Sequence, residues 1–78
     1  MKGTILLVED DFALAMGTQF ALQAEGYEVV HASSLEQARN VLQKNYDLIL
    51  LDVMLPDGTG FDLCQDRIFQ LQFFFLTK

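Results

Sequence analysis

Asp47-Leu48-Ile49-Leu50-Leu51-Asp52-Val53-Met54-Leu55-Pro56-Asp57-Gly58-Thr59-Gly60 is the stretch that decides the reading of this chain. Leu48 to Leu51 is an unbroken apolar run, without the polar alternation of a half-exposed strand. That pattern suits a strand buried on both faces of a parallel sheet. The run stops on a carboxylate, Asp52, and a turn carrying the only proline of the chain follows at once. Open α/β sheets hold their ligands at the carboxyl ends of their strands, which is where Asp52 falls. A second run, Ile5-Leu6-Leu7-Val8, ends in the same way on Glu9-Asp10-Asp11.

Around these two runs, the chain reads as alternating strands and helices. Residues 4–9 form the first strand. Asp11 starts a helix over residues 12–25, because an early carboxylate suits the positive end of a helix. Leu14, Phe20, Ala21 and Leu22 are its expected apolar stripe, and Gly26 its C-terminal glycine. Tyr27 to Ala32 is a second strand. Ser33 and Glu36 match a capping box opening a second helix, whose Leu35, Ala38, Val41 and Leu42 fall at core-facing spacing. Asn45 is expected to end that helix. Residues 47–52 form the third strand, Phe61 to about Gln70 a third helix, and Phe73 to Leu76 a fourth strand. A β-α-β-α-β-α-β order implies an α/β fold with a doubly wound parallel sheet and right-handed crossovers.

The 78 residues are enough for one small domain. The net charge of −6 argues against nucleic-acid binding by this chain itself, since that affinity rests on Lys and Arg neutralising phosphates. One cysteine, Cys64, excludes an internal disulfide and a cysteine zinc cluster, and points to a reducing compartment. The first apolar run is interrupted at Glu9, too early for a signal peptide, and no run reaches the roughly 18 residues of a membrane span. The expectation is a cytoplasmic protein without a membrane segment.

The chemistry follows from the strand ends. If the first and third strands are neighbours, Glu9, Asp10 and Asp52 share one pocket. Three carboxylates there repel one another, and a divalent cation resolves the conflict. Hard oxygen ligands suit Mg²⁺, which can also clamp the oxygens of a transferring phosphoryl group. A carboxylate can itself be the nucleophile and become an aspartyl phosphate. Thr77, after the fourth strand, brings a hydroxyl to the same edge. Other motifs fail. An EF-hand loop beginning at Asp52 would need acidic or amide residues where Met54 and Pro56 stand and Glu at Leu63. No Walker A or dinucleotide-binding glycine pattern occurs. Taken singly, several residues have plainer readings: Asp11 as a cap, Asp57-Gly58 as turn chemistry, Cys64 as a packed small hydrophobe. His31 reads as structural and far from the acidic ends.

Val8-Glu9-Asp10-Asp11, Asp52-x-x-Leu55-Pro56-x-x-x-Gly60 and Leu76-Thr77 together resemble the receiver domain of bacterial two-component response regulators, over essentially the whole chain. The stretch Asp52 to Phe61 is most similar to the OmpR/PhoB branch, whose members carry a C-terminal DNA-binding domain. The resemblance implies a flavodoxin-like sheet of strand order 2-1-3-4, residues 1–78 being a single partial receiver domain whose fifth βα unit is missing. It implies Asp52 as phospho-acceptor, Glu9, Asp10, Asp52 and the backbone carbonyl of Met54 as Mg²⁺ ligands, and Thr77 as the hydroxyl that senses the phosphoryl group. A sensor histidine kinase would be the phosphoryl donor, and DNA would be reached only through an effector domain outside these residues. The domain itself would contribute at most self-phosphorylation and self-dephosphorylation. The family's fifth-strand lysine and aromatic switch residue have no counterpart in the 78 residues. The alternative is therefore a degenerate receiver-like interaction module without phosphotransfer. In a chain of these residues, Phe73 to Leu76 is an apolar sheet edge, a template for pairing with another chain. Self-association as a homodimer or larger species is expected; a monodisperse monomer in light scattering would overturn this.

Overall fold

The computed structural model describes residues 2–42, 45–60, 62 and 73–76, the last four by their backbone. The expected helix Phe61–Gln70, apart from Asp62, lies outside the described residues, and so do Cys64 and Thr77. The elements are β1 (Gly3–Val8), α1 (Phe12–Ala24), β2 (Tyr27–Ala32), α2 (Leu35–Val41), β3 (Leu48–Asp52), β4 (Met54–Leu55), β5 (Gly58–Thr59) and β6 (Phe73–Leu76). The fourth strand expected from the sequence is thus β6, because a short antiparallel hairpin, β4–β5, precedes it.

The main sheet has the order β2-β1-β3-β6, with every pairing parallel. This is the expected 2-1-3-4 order. In a parallel sheet all carboxyl ends lie at one edge, so β1 and β3 deliver their terminal acids together. Register fixes the match: Val8 pairs with Leu51, and Asp52 with Leu76. The opposite end is pinned by Asp47, whose amide donates to the Thr4 carbonyl at 2.8 Å while its Oδ2 accepts from the Thr4 amide at 2.8 Å.

The apolar runs of β1 and β3 alternate between two cores. Leu6, Val8, Ile49 and Leu51 pack with Ala32, Leu35, Ala38, Leu42, Tyr46 and Leu55 on the α2 face. Leu7 packs with Ala15 and Val29 on the α1 face, joined by the partly buried Leu22 and Leu50. Burial of each large aliphatic side chain contributes roughly 1.5–3 kcal/mol, and both cores share the two central strands. The expected core positions of α2 hold: Leu35, Ala38 and Leu42 are buried and Val41 is half-buried. Those of α1 do not. Ala15 and Leu22, two turns apart, face the sheet, so Leu14, Phe20 and Ala21 fall on the flanks and are exposed.

Caps set the helix boundaries. Asp11 is the N-cap of α1, its Oδ1 accepting from the Leu14 amide at 3.1 Å. Gly26 closes α1 as expected, at φ 100°, a backbone shape that a side chain disfavours. The capping box of α2 lies one residue later than the sequence suggested. Ser34, not Ser33, is the N-cap, its Oγ accepting from the Gln37 amide at 3.1 Å, and Gln37 rather than Glu36 returns its side chain, to Ser33. The two amides in between, of Leu35 and Glu36, are taken by Asp57 Oδ1 at 2.8 Å and Oδ2 at 3.0 Å. At its other end α2 stops at Val41 with Leu42 as cap, well before Asn45. The Tyr46 hydroxyl donates to the Val41 carbonyl at 2.8 Å, and burial pushes the phenol pKa up, which keeps it a neutral donor.

The Leu35 amide, then that of Glu36, with the Arg39 charge a smaller cause, holds the Asp57 carboxyl below the usual carboxylate range. A depressed carboxylate stabilises the fold above its unfolded-state value, near 4, and that contribution is lost as pH falls through the lower folded value. Asp57→Asn is therefore expected to be less stable than the parent at neutral pH, with the gap closing below about pH 4; urea titrations across pH 3–7 with a constant gap would contradict this.

Candidate functional site

The site is built by the carboxyl ends of β1 and β3. Glu9 follows β1 directly, and its amide still donates to the Ala32 carbonyl of β2 at 3.0 Å, so the backbone is held in the sheet where the side chain departs. Asp52 is the last residue of β3. Glu9, Asp10 and Asp52 each offer an oxygen, and these oxygens lie within 4.8 Å of one another. Glu9 is 0% exposed and Asp52 3%, while Asp10 reaches solvent.

Each buried carboxylate is oriented by the chain that follows it. Glu9 Oε1 accepts from the Asp11 amide at 3.2 Å, and Asp52 Oδ1 from the Met54 amide at 3.2 Å. The second oxygens, Glu9 Oε2 and Asp52 Oδ2, are also withdrawn from water. At this spacing, charged carboxylates repel by roughly 3 kcal/mol per pair at an effective dielectric of 20. The donor set, all hard carboxylate oxygen with one member open to water, fits a small divalent cation better than a soft metal.

The sequence-predicted residues Glu9, Asp10 and Asp52 are therefore brought together. Met54 follows in β4, its amide fixed by Asp52 and its position by pairing with Thr59. Thr77 lies outside the described residues; the residue before it, Leu76, is the register partner of Asp52. His31 corrects an expectation. It is not far from the acidic end, because β2 is parallel to β1 and ends at the same edge: Nε2 donates to the Glu9 carbonyl at 2.8 Å. Asp57 is also more than a turn residue, since it caps α2 from the hairpin tip. Parallel topology was the available signal for His31; nothing local in the sequence pointed Asp57 to a helix more than 20 residues earlier.

The profile of the response regulator receiver domain matches residues 5–72. The chain belongs to that family. It is 42% identical over 69 residues to the alginate biosynthesis transcriptional regulatory protein AlgB of Pseudomonas putida, covering 86% of this chain and 15% of that protein. Among solved structures, the non-phosphorylated HemR receiver domain from Leptospira biflexa superposes with a TM-score of 0.91 at 41% identity, covering 97% of this chain and 64% of that one. The response regulator TrrA from Thermotoga maritima, in complex with Mg²⁺-BeF, superposes with a TM-score of 0.81 at 28% identity, covering 90% of this chain and 64% of that one. The chain thus spans a small part of its AlgB relative and under two thirds of these receiver structures. No described helix is long and apolar enough to cross a membrane.

Repulsion at the site gives a direct expectation. Without divalent cations, Asp52→Asn should stabilise the chain by about 1 kcal/mol, because it removes one charge from the cluster. Urea denaturation in a chelator checks it, and a loss of stability would contradict it.

Proposed function

We propose that this chain is a phospho-accepting receiver in a bacterial two-component pathway, with Asp52 as acceptor. The observation that carries the reading is the convergence of Glu9, Asp10 and Asp52 oxygens within 4.8 Å at the sheet's carboxyl edge, in a chain of the receiver family. Glu9, Asp10, Asp52 and the Met54 carbonyl would hold Mg²⁺. Bound there, Mg²⁺ neutralises charge on the oxygens of the incoming phosphoryl group.

The other contributions are the chain's own. An Asp52 oxygen attacks phosphorus, a new O–P bond forms, and the bond to the donor breaks with its electron pair leaving on the donor. The Met54 amide on Oδ1 holds the acceptor side chain in one orientation. The His31 ring and the Ala32 carbonyl fix the Glu9 backbone, so the acidic pair does not have to be ordered when a ligand arrives. Thr77 is the hydroxyl assigned to sense the phosphoryl group.

In this reading residues 1–78 are one partial receiver domain of the OmpR/PhoB type, working in the cytoplasm. A sensor histidine kinase supplies the phosphoryl group, and a DNA-binding effector domain elsewhere in the full protein gives the output. The transcriptional regulatory relative supports that output, and the Mg²⁺-bound TrrA structure supports the cation. Self-association through β6 remains part of the proposal for the isolated 78-residue chain.

Incubation with Mg²⁺ and acetyl phosphate, followed by intact-mass measurement, tests the assignment. One phosphate adduct is expected on the parent chain and none on Asp52→Ala. No adduct on folded parent protein would overturn phosphotransfer and leave an interaction module.

A further inference from the structure

We propose that Asp57 is a positioning residue for the cation site: by clamping the β4–β5 hairpin to the start of α2, it holds the Met54 backbone in place. The inference rests on the reading of the Met54 carbonyl as a Mg²⁺ ligand and adds a residue that sits outside the carboxylate cluster.

The hairpin has two anchored ends. Its inner end is tied to the acceptor strand by the Met54 amide on Asp52 Oδ1 and by the Gly60 amide on the Val53 carbonyl at 2.8 Å. Its outer end, the Pro56-Asp57 tip between Leu55 and Gly58, is tied to α2. Both Asp57 oxygens are used, one on the Leu35 amide and one on the Glu36 amide. These are donors that a helix leaves unsatisfied in its first turn. The third, on Gln37, is taken locally by Ser34 Oγ. The cap of α2 is thus divided between a neighbour in sequence and the tip of the site hairpin.

Packing reinforces the clamp. Leu35 and Leu55 lie in the same core cluster. A Cβ on Gly58, at φ 153°, would come within 2.5 Å of Leu35 Cδ1. The Gly58 backbone therefore lies directly against the Leu35 side chain of α2, in a conformation that a side chain disfavours. Met54 lies between the two anchors, with its side chain largely exposed, so the backbone pairing and these anchors fix its carbonyl rather than burial of the side chain. Loss of the Asp57 carboxylate releases the outer anchor, and a carbonyl that must be ordered on binding gives a weaker site.

Mg²⁺ titration calorimetry and metal-free amide hydrogen exchange test the proposal on the parent, Asp57→Ala, Asp57→Asn and Ser34→Ala. Asp57→Ala should weaken Mg²⁺ binding roughly tenfold, in the range found when groups supporting metal ligands are removed. Exchange of the hairpin amides should speed up in the same variant. Asp57→Asn keeps one acceptor and should fall between. Ser34→Ala weakens the same helix without touching the hairpin, and should leave Mg²⁺ affinity unchanged; an equal loss there would reduce Asp57 to a helix cap and overturn the proposal. Parent-like affinity in Asp57→Ala or Asp57→Asn overturns it as well. If the parent itself binds no Mg²⁺, the underlying reading of the site fails, and this inference with it. Should Asp57→Ala not fold, Asp57→Asn against Ser34→Ala decides.

Discussion

Mutual repulsion among three carboxylates is the constraint on which the rest of this structure turns. A small domain has little stability to spare, yet Glu9 and Asp52 are withdrawn from water beside Asp10. The parallel sheet makes this arrangement unavoidable. β1 and β3 are adjacent, run the same way and end nearly level, so the acid that follows β1 meets the acid that ends β3. The apolar runs that precede them belong to two cores, one on each face, and those cores hold the strand ends rigidly. Hydrophobic burial thus offsets an electrostatic arrangement that is unfavourable in itself.

Around the cluster, backbone groups do most of the orienting. Amides two residues downstream hold one oxygen of Glu9 and one of Asp52. His31 holds the Glu9 carbonyl from the neighbouring strand. The β4–β5 hairpin continues β3 outward and is fastened to α2 through Asp57. The site is therefore connected to a helix that contributes none of its carboxylates.

Much of this was legible in the sequence because the decisive signals are short and strong. Leu48–Leu51 and Ile5–Val8, each closed by acid, were enough to place two central strands and the pocket at their ends. Gly26 and Asp11 announced the ends of α1 by ordinary capping chemistry. Other features depend on packing that no local pattern encodes. Phe20 and Leu14 look like core residues but flank the face of α1 that Ala15 and Leu22 present to the sheet. The sequence pointed to Ser33 as the cap, whereas Ser34 is the N-cap, and the Asp57 carboxylate arrives from the hairpin to take the next two amides. His31 reaches the Glu9 carbonyl because β2, parallel to β1, ends at the same carboxyl edge, a relation between strands that no local pattern at His31 encodes.

The most direct test of the central claim, that the three strand-end carboxylates form one cation pocket, is calorimetric titration of the chain with Mg²⁺ beside its Glu9→Gln variant. The account predicts a single site in the parent and at least a tenfold loss of affinity in the variant, as expected when a carboxylate ligand is neutralised. Binding of equal strength in both chains, or none in a folded parent, would contradict it.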